Sequence, residues 1–253
     1  MITDLQKAGM WKRISAALFD GILLVVVAVA AALALSALTG YDEYNDAVSA
    51  AYEHYEQQFG INFEVTQEEY NAFSEEKRAN YDEAYRQLCA DKDAMYAYNM
   101  VINLTMLISS LGILLGFLVI EFIFPLLLGD GRTLGKKIFG LALMRTDSIR
   151  ITAPLLFIRT ILGKYTIETM VPVLIVVMIL FNMAGLEAVI ALGLILLLQV
   201  VLLIATRTNS AIHDVLAKTV VVDYASQRMF NNEQELLEYK KKLHAERAAR
   251  TEY

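Results

Sequence analysis

Long runs of apolar residues recur along this chain, separated by more polar segments. Four runs reach or approach the length of about 20 residues that a helix needs to cross a bilayer. They cover residues 14–38, 101–128, 167–181 and 186–205. The third run is short for a span unless its helix begins earlier. The pattern predicts an all-α membrane protein with four transmembrane helices.

The first apolar run also resembles a secretory signal peptide, because basic residues precede it and small residues follow it. The apolar core of such a signal is about 7–15 residues long, whereas this run is longer and contains Asp20. We therefore interpret it as a transmembrane helix. The composition agrees, since 57% of the residues are hydrophobic and the mean hydropathy is +0.45, which is too apolar for an ordinary soluble domain.

Charges are segregated between the predicted loops. Residues 41–99 hold 14 acidic and 4 basic side chains, a balance of −10, whereas residues 129–166 hold 7 basic and 2 acidic ones, a balance of +5. Basic residues gather in the cytoplasmic loops of membrane proteins. We therefore expect both termini and residues 129–166 in the cytoplasm, and the acidic segment outside.

The acidic segment 41–99 predicts a helical insert. Its first helix should end at Gly60, which can adopt a left-handed cap, and Thr66 and Ser74 are candidate N-caps of later helices. From Ser74 onward no breaker precedes the second span, so one continuous helical rod is predicted. The single cysteine, Cys89, is expected to be partly buried and unreactive. A solvated hairpin and a vestibule or surface that attracts cations or a partner both fit this composition.

Short β-branched segments in the remaining polar regions predict a small cytoplasmic β-hairpin. Residues 137–144 and 149–152 flank a turn that contains Asp and Ser, and residues 219–223 are a candidate third strand. Pro154 then begins an amphipathic stretch that we expect at the membrane surface. The tail, residues 226–253, predicts a solvated helix, with binding of anionic lipid headgroups as the alternative.

These elements define a membrane domain and two appendages. The membrane domain comprises residues 8–40, which carry the first span, and residues 100–225, which carry the other spans and the hairpin. The extracytoplasmic insert comprises residues 41–99, and the cytoplasmic C-terminal helix residues 226–253. Four spans are few for a complete pathway, so we expect a homo-oligomer in the lipid bilayer and no nucleic-acid partner.

Ionisable residues lie inside the apolar runs, where an unpaired charge is costly and often marks a functional site. Asp20 and Glu121 are at a similar depth, about 10 Å from the cytoplasmic edge by helix rise. Pro125 and Pro172 follow Glu121 and Glu168 by four residues, and each should free the carbonyl oxygen of its glutamate. Carboxylates with free carbonyl oxygens could hold a small cation or relay a proton. The candidate ion or proton site is therefore Asp20, Glu121 and Glu168.

The alternative interpretation of these acids is structural. They would then pair with the basic residues Arg13, Arg159 or Lys164. We expect Arg13 to pair with Asp214 at the cytoplasmic interface, and Asp20 to point into the helix bundle.

The same residues resemble a known family. Arg13 with Asp20 seven residues later, the segment GRTLGKKIFGLAL after the second run, Arg159 and the closing IHDVLAKTVVV resemble the RDD family of small bacterial membrane proteins, named for one Arg and two Asp. The family motif then falls on Arg13, Asp20 and Asp214, with Lys136, Lys137 and Arg159 as supporting basic residues. The resemblance implies a multi-pass protein of the bacterial inner (plasma) membrane and a role in transport, with cation–proton exchange in some branches.

Catalysis and cofactors are not indicated by the sequence. Lys136 and Lys137 follow glycines, but the spacing is not that of a P-loop. His213 has no second metal ligand at a useful spacing, and no nucleophile–base pair is evident. We therefore expect no enzymatic activity, no cofactor and no metal. The leading hypothesis is a transporter or ion-translocation subunit that uses intramembrane acids, and the alternative is a membrane scaffold that recruits a partner.

The predicted topology can be tested at Cys89, the single cysteine. If the Cys89 thiol is solvent-exposed, we expect a thiol reagent that cannot cross the membrane to label it in intact cells, because the acidic insert should be outside. A Cys89→Ser variant that carries Ser226→Cys in the predicted cytoplasmic tail should be labelled only after lysis. If the two positions show the opposite behaviour, the topology is inverted.

Overall fold

The structure, a computed structural model, describes residues 6–180, 184–206 and 208–251. Four helical stretches are long and apolar enough to cross a membrane: Met10–Thr39, Lys92–Leu127, Ala153–Ile179 and Leu186–Ala205. The prediction of an all-α membrane protein with four spans is confirmed. The third span begins earlier than its apolar run, and Phe181, where that run was expected to end, lies outside the described residues.

The elements follow one another along the chain as helices, two π-helical segments and two strands. In order they are α1 (Met10–Thr39), α2 (Tyr41–Phe59), α3 (Gln67–Asn71), α4 (Glu75–Ala90), α5 (Lys92–Phe117), π1 (Leu118–Ile123), α6 (Phe124–Leu127), α7 (Leu134–Ile138), β1 (Leu141–Arg145), α8 (Ala153–Phe157), π2 (Ile158–Met170), α9 (Val171–Leu180), α10 (Leu186–Ala205), α11 (Ile212–Leu216), β2 (Thr219–Asp223) and α12 (Glu233–Thr251). The second span is thus α5, π1 and α6 in succession, and the third is α8, π2 and most of α9.

The chain divides into two compact units. The larger unit comprises Met1–Ala28 and Ile113–Tyr253, and the smaller unit comprises Val29–Gly112. The two divisions fall within α1 and within α5. Asp20, Glu121 and Asp214 all belong to the larger unit, which therefore contains the candidate site.

In the insert, which lies in the smaller unit, the end of α2 and the starts of α3 and α4 lie where predicted. Gly60 caps α2 in the left-handed region with φ 62°, a conformation that costs glycine little. The Thr66 hydroxyl accepts a hydrogen bond from the Glu69 amide, and the Glu69 carboxylate accepts one from the Thr66 amide. The Ser74 hydroxyl accepts from the Lys77 amide at 3.3 Å. Side-chain capping therefore sets the starts of α3 and α4.

The prediction of one continuous rod from Ser74 is wrong, because the chain turns out of the helix at Asp91. This residue is extended, with φ −70° and ψ 113°. Its carboxylate accepts hydrogen bonds from the Asp93 and Ala94 amides at 2.9 and 3.2 Å, so it caps a new helix, α5. Cys89 is exposed, contrary to the expectation that it would be partly buried.

A small antiparallel sheet in the larger unit confirms the predicted β element, with a different pairing. β1 pairs with β2 in a register that places Leu143 opposite Val221, so the partner is the segment expected as a third strand. Residues 149–152 contribute isolated bridges, from Arg150 to Met144 and from Ile149 to Phe230. Every residue of β2 except Asp223 is buried, whereas the chain after residue 150 soon enters α8, leaving too little length for a strand.

The expectation of a surface helix after Pro154 is also wrong. Helix α8 continues into π2 and α9 without a break, and Pro154 lies in the first turn, where its missing N–H is not needed. Arg159 and Thr160 are 2% and 0% exposed. Arg159 Nε and the Thr160 hydroxyl donate hydrogen bonds within the protein, so this segment packs inward from its first turns.

The C-terminal helix α12 begins at the predicted position. The Asn232 side chain accepts a hydrogen bond from the Glu235 amide at 2.8 Å. Phe230 and Leu236 pack with Ile149 in a small buried cluster, so the helix is attached to the larger unit. Residues 252–253 of the predicted tail lie outside the described residues.

Close packing of π2 against α11 yields a stability prediction. A Cβ added at Gly163 would lie 2.5 Å from the His213 Cβ, so Gly163→Ala should cost about 1–3 kcal/mol in free energy of unfolding. Thermal melting of the purified protein in detergent would measure the loss. Gly193→Ala is the control, because an added Cβ there meets nothing within 4 Å. Equal melting temperatures for the two variants would contradict this packing.

Candidate functional site

A cavity of about 200 Å³ lies within the larger unit and is lined by ionisable side chains together with apolar ones. Four bases and three acids among its lining residues form a connected set, which we call the charge cluster. Its members are Arg13, Asp20, Glu121, Lys136, Arg159, Lys164 and Asp214. His213 lines the same cavity.

Asp214 lies at one end of the charge cluster and is 1% exposed. Its Oδ1 accepts a hydrogen bond from Arg159 Nε and lies 3.1 Å from Arg159 Nη2. The predicted pair with Arg13 is present at 3.5 Å, and the Thr219 hydroxyl donates at 3.1 Å. Burial alone would raise the pKa of Asp214, but Arg159, His213 and Arg13 outweigh it and lower that pKa.

Asp20 points into the larger unit as predicted, and it is held by the start of α7. Its carboxylate accepts hydrogen bonds from the Thr133 hydroxyl and from the Gly135 amide, the latter at 2.8 Å. Lys136 Nζ lies 4.0 Å away. A Cβ at position 135 would overlap the Ala16 carbonyl oxygen and the Asp20 carboxylate. Glycine is therefore required here so that the backbone amide can reach the acid.

Glu121 lies on π1 and faces three basic side chains. Its Oε1 accepts a hydrogen bond from Lys164, and its Oε2 lies 3.6 Å from Lys136 Nζ and 3.8 Å from Arg159 Nη1. The prediction that Pro125 leaves the Glu121 carbonyl oxygen free is wrong. That oxygen accepts a hydrogen bond from the Thr160 hydroxyl at 3.1 Å, so π2 satisfies the group that the proline leaves without its helical partner.

Lys136 joins the two candidate acids, because its ammonium group lies between Asp20 and Glu121. Burial lowers the pKa of Lys136 to about 8, although Glu121 acts in the opposite direction. Lys137, its neighbour in sequence, is exposed and takes no part in the charge cluster. Both lysines could be identified from the sequence, but the sequence did not indicate which of them belongs to the charge cluster.

Glu168, the third candidate acid, does not line the cavity and pairs with His213 instead. The His213 ring Nδ1 lies 2.7 Å from one carboxylate oxygen, and the His213 amide donates to the other at 3.0 Å. Burial, followed by the charge of Arg159, lowers the pKa of His213. In the sequence, the only signal for a role of His213 was its place beside Asp214.

Two buried polar atoms at the centre of the charge cluster have no hydrogen-bond partner among the described residues. They are Glu121 Oε2 and Arg159 Nη1, which face each other at 3.8 Å. A buried charged atom that lacks a hydrogen bond is costly. Each of these atoms therefore lacks a hydrogen bond that a bound polar group could supply.

The wide turns of the π segments bring the charges of the second and third spans together. Glu121 lies on π1, and Arg159, Lys164 and Glu168 lie on π2. On an α-helix, Arg159 and Lys164 would be roughly 140° apart around the axis. The i→i+5 bonding of a π-helix brings residues five apart onto a similar direction, so both bases can face Glu121.

The chemistry of the site is that of a nearly balanced buried ion network. A carboxylate and a base in contact can exchange partners when a proton or an ion arrives. Within the described residues, no group of three or more His, Cys, Asp and Glu side chains is placed to hold a metal ion. The basic groups exceed the acids of the charge cluster by one, which distinguishes it from a site built for metal cations.

Comparison with known proteins agrees with the motif found in the sequence. A family model described as the RDD family matches residues 7–218 of the chain. The matched region contains every residue of the charge cluster. No curated protein and no solved structure matches the chain.

A double-mutant cycle would test the pairs at Asp214. We expect Arg13→Ala and Asp214→Ala each to lower the free energy of unfolding in detergent, and the double variant to lose less than the sum. Removing one partner of a buried pair typically costs about 3–5 kcal/mol.

The cycle between Arg159→Ala and Asp214→Ala should show the larger coupling, because Arg159 makes two contacts at 3.1 Å and Arg13 one at 3.5 Å. Strictly additive losses in both cycles would argue against direct pairing.

Proposed function

The chain belongs to the RDD family, and from this membership and its charge cluster we propose that it is an ion-translocating transport protein of a bacterial inner membrane. The observation that carries the proposal is the cavity of about 200 Å³ lined by Asp20, Glu121 and Asp214 with four bases. Ionisable groups among membrane spans commonly mark the path of an ion or proton.

The proton is the cation that we propose for this path. A metal cation needs a set of oxygen ligands, whereas every acid of this cavity already faces a base. A proton instead neutralises a carboxylate and releases its basic partner. Lys136, Arg159 and Lys164 all face Glu121, so a proton on Glu121 would release more basic groups than one on either of the other acids.

We propose that both termini and the sheet lie in the cytoplasm, with the acidic insert outside. The charge balances of the loops support this orientation. Further support comes from contacts among three predicted cytoplasmic segments: Lys7 bridges to Val222 on β2, and β2 pairs with β1. Lys12 also forms an ion pair with Asp223 at 3.0 Å.

We propose a homo-oligomer as the working unit, because four spans are few to enclose a complete pathway. The lipid bilayer is its surrounding partner, and the basic stretch Lys240–Lys242 on α12 is available for anionic headgroups. We propose a transport role and not an enzymatic one, with Asp20 and Glu121 as the acids that take part and no cofactor.

A structural scaffold is the second candidate function, and the ion pairs favour it. Asp20 pairs with Lys136, Glu121 pairs with three bases, and Asp214 pairs with two arginines. In a scaffold this network would hold the helices together, and the insert or the tail would recruit a partner. The two functions differ in whether neutralising an acid stops flux without loss of folding.

Proton flux into proteoliposomes that contain only this protein tests the proposal. A pH-sensitive dye inside the vesicles should report uptake under an imposed membrane potential, and Glu121→Gln and Asp20→Asn should each abolish that uptake. Both substitutions keep the size of the side chain. Glu238→Gln is the matched control, because Glu238 is exposed on α12, and it should transport like the parent.

Folding of each variant is checked by size-exclusion chromatography and thermal melting. If Glu121→Gln and Asp20→Asn fold and carry protons like the parent, the acids are structural and the result favours the scaffold function. If the correctly assembled parent shows no flux, the transport proposal is wrong.

A further inference from the structure

The two buried atoms without hydrogen bonds define what a ligand of the cavity must offer. Arg159 Nη1 is a donor on a side chain that is 2% exposed, and Glu121 Oε2 is an acceptor on a residue that is 4% exposed. Arginine can only donate and an ionised carboxylate can only accept. A group that satisfies both must therefore accept one hydrogen bond and donate another.

The charge of the lining favours an anion as that group. Arg13, Lys136, Arg159 and Lys164 are set against the three carboxylates of Asp20, Glu121 and Asp214. The lining is thus positive by one charge. The ammonium group of Lys136 donates to the Thr133 hydroxyl at 3.1 Å and retains further N–H donors for an anion beside Glu121.

The size and walls of the cavity argue against a single water molecule. One water needs about 10–15 Å³ of such volume, far less than the roughly 200 Å³ present. Apolar side chains complete the lining, among them Met10, Ile14 and Leu203. Met10 and Ile14 are 43% and 41% exposed.

We propose that the cavity binds an oxyanion that carries its own hydroxyl, a phosphate or phosphate monoester, between Arg159, Lys136 and Glu121. A P–O oxygen accepts from Arg159 Nη1 and Lys136 Nζ, and the P–OH group donates to Glu121 Oε2. Charge-assisted hydrogen bonds of this kind are the strong ones. The same chemistry is offered by free inorganic phosphate and by the headgroup of phosphatidic acid. This inference concerns binding and does not depend on proton flux.

Sulfate is the matched probe for the hydroxyl, because it has the shape of phosphate and no proton to donate at neutral pH. Equilibrium binding of inorganic phosphate and of sulfate to the purified full chain would be compared at constant ionic strength. We expect phosphate to bind at least about tenfold more tightly, the effect of roughly one hydrogen bond to a charged group. Equal affinity for the two anions would overturn the proposal.

Variants then locate the site. Lys136→Met should weaken phosphate binding by about tenfold or more, whereas Lys137→Met removes the same charge from an exposed position and should leave binding unchanged. Glu121→Gln should abolish the preference for phosphate over sulfate, because the amide can donate to either anion. Arg159→Lys keeps the charge and removes Nη1, and it should also weaken binding. If the Lys136 and Lys137 variants behave alike, the site lies elsewhere.

Lipid discs separate the two sources of the ligand. In discs of phosphatidylcholine alone, phosphate should bind as in detergent if the free anion can enter. Discs that contain phosphatidic acid should retain that lipid on the parent and lose it with Lys136→Met if the headgroup enters. Either result, or both, supports the shared chemistry. Failure of phosphate and phosphatidic acid to bind, while the flux measurement above succeeds, would overturn this inference and leave the transport proposal intact.

Discussion

The larger unit depends on the pairing of one buried carboxylate, that of Asp214, with the guanidinium group of Arg159. Neither charge can be buried in isolation, so the short helix α11 and the π2 segment must meet where these side chains touch at 3.1 Å. Arg13 brings α1 to the same carboxylate at 3.5 Å, and Thr219 brings β2 to it. One acid therefore helps to position α1, π2, α11 and β2.

The π segments turn this structural pairing into a polar cavity. In an α-helix, only part of the π2 charges could face the second span, but wider turns direct both Arg159 and Lys164 at Glu121. The Thr160 hydroxyl meets the Glu121 carbonyl oxygen, which joins the two π segments directly. Three basic side chains face Glu121, which carries a single negative charge. This surplus distinguishes the cavity from a balanced internal salt bridge.

Much of this arrangement could be predicted from sequence, because a charge in an apolar run is conspicuous. The four spans follow from the apolar runs, and Asp20 and the Arg13–Asp214 pair follow from charges within or beside those runs. The π segments could not be predicted, since no residue pattern distinguishes i→i+5 from i→i+4 bonding. The pairing of β1 with β2 could not be predicted because the two strands are far apart in sequence. The cap at Asp91 could not be predicted because it depends on a side-chain carboxylate that competes with the hydrogen bonds of a continuous helix. The pairing of Glu168 with His213 could not be predicted either, because the two residues are 45 positions apart and meet only in the fold.

The most direct test of this account is nuclear magnetic resonance of the arginine side chains in the full chain in detergent micelles. If Asp214 holds Arg159, the Arg159 Nε–H signal should exchange slowly with water and should shift on Asp214→Asn. The signal of Arg86, which is 72% exposed at its side chain, serves as the reference for a solvated guanidinium group. An Arg159 signal that exchanges as fast as that of Arg86 and ignores Asp214→Asn would contradict the account.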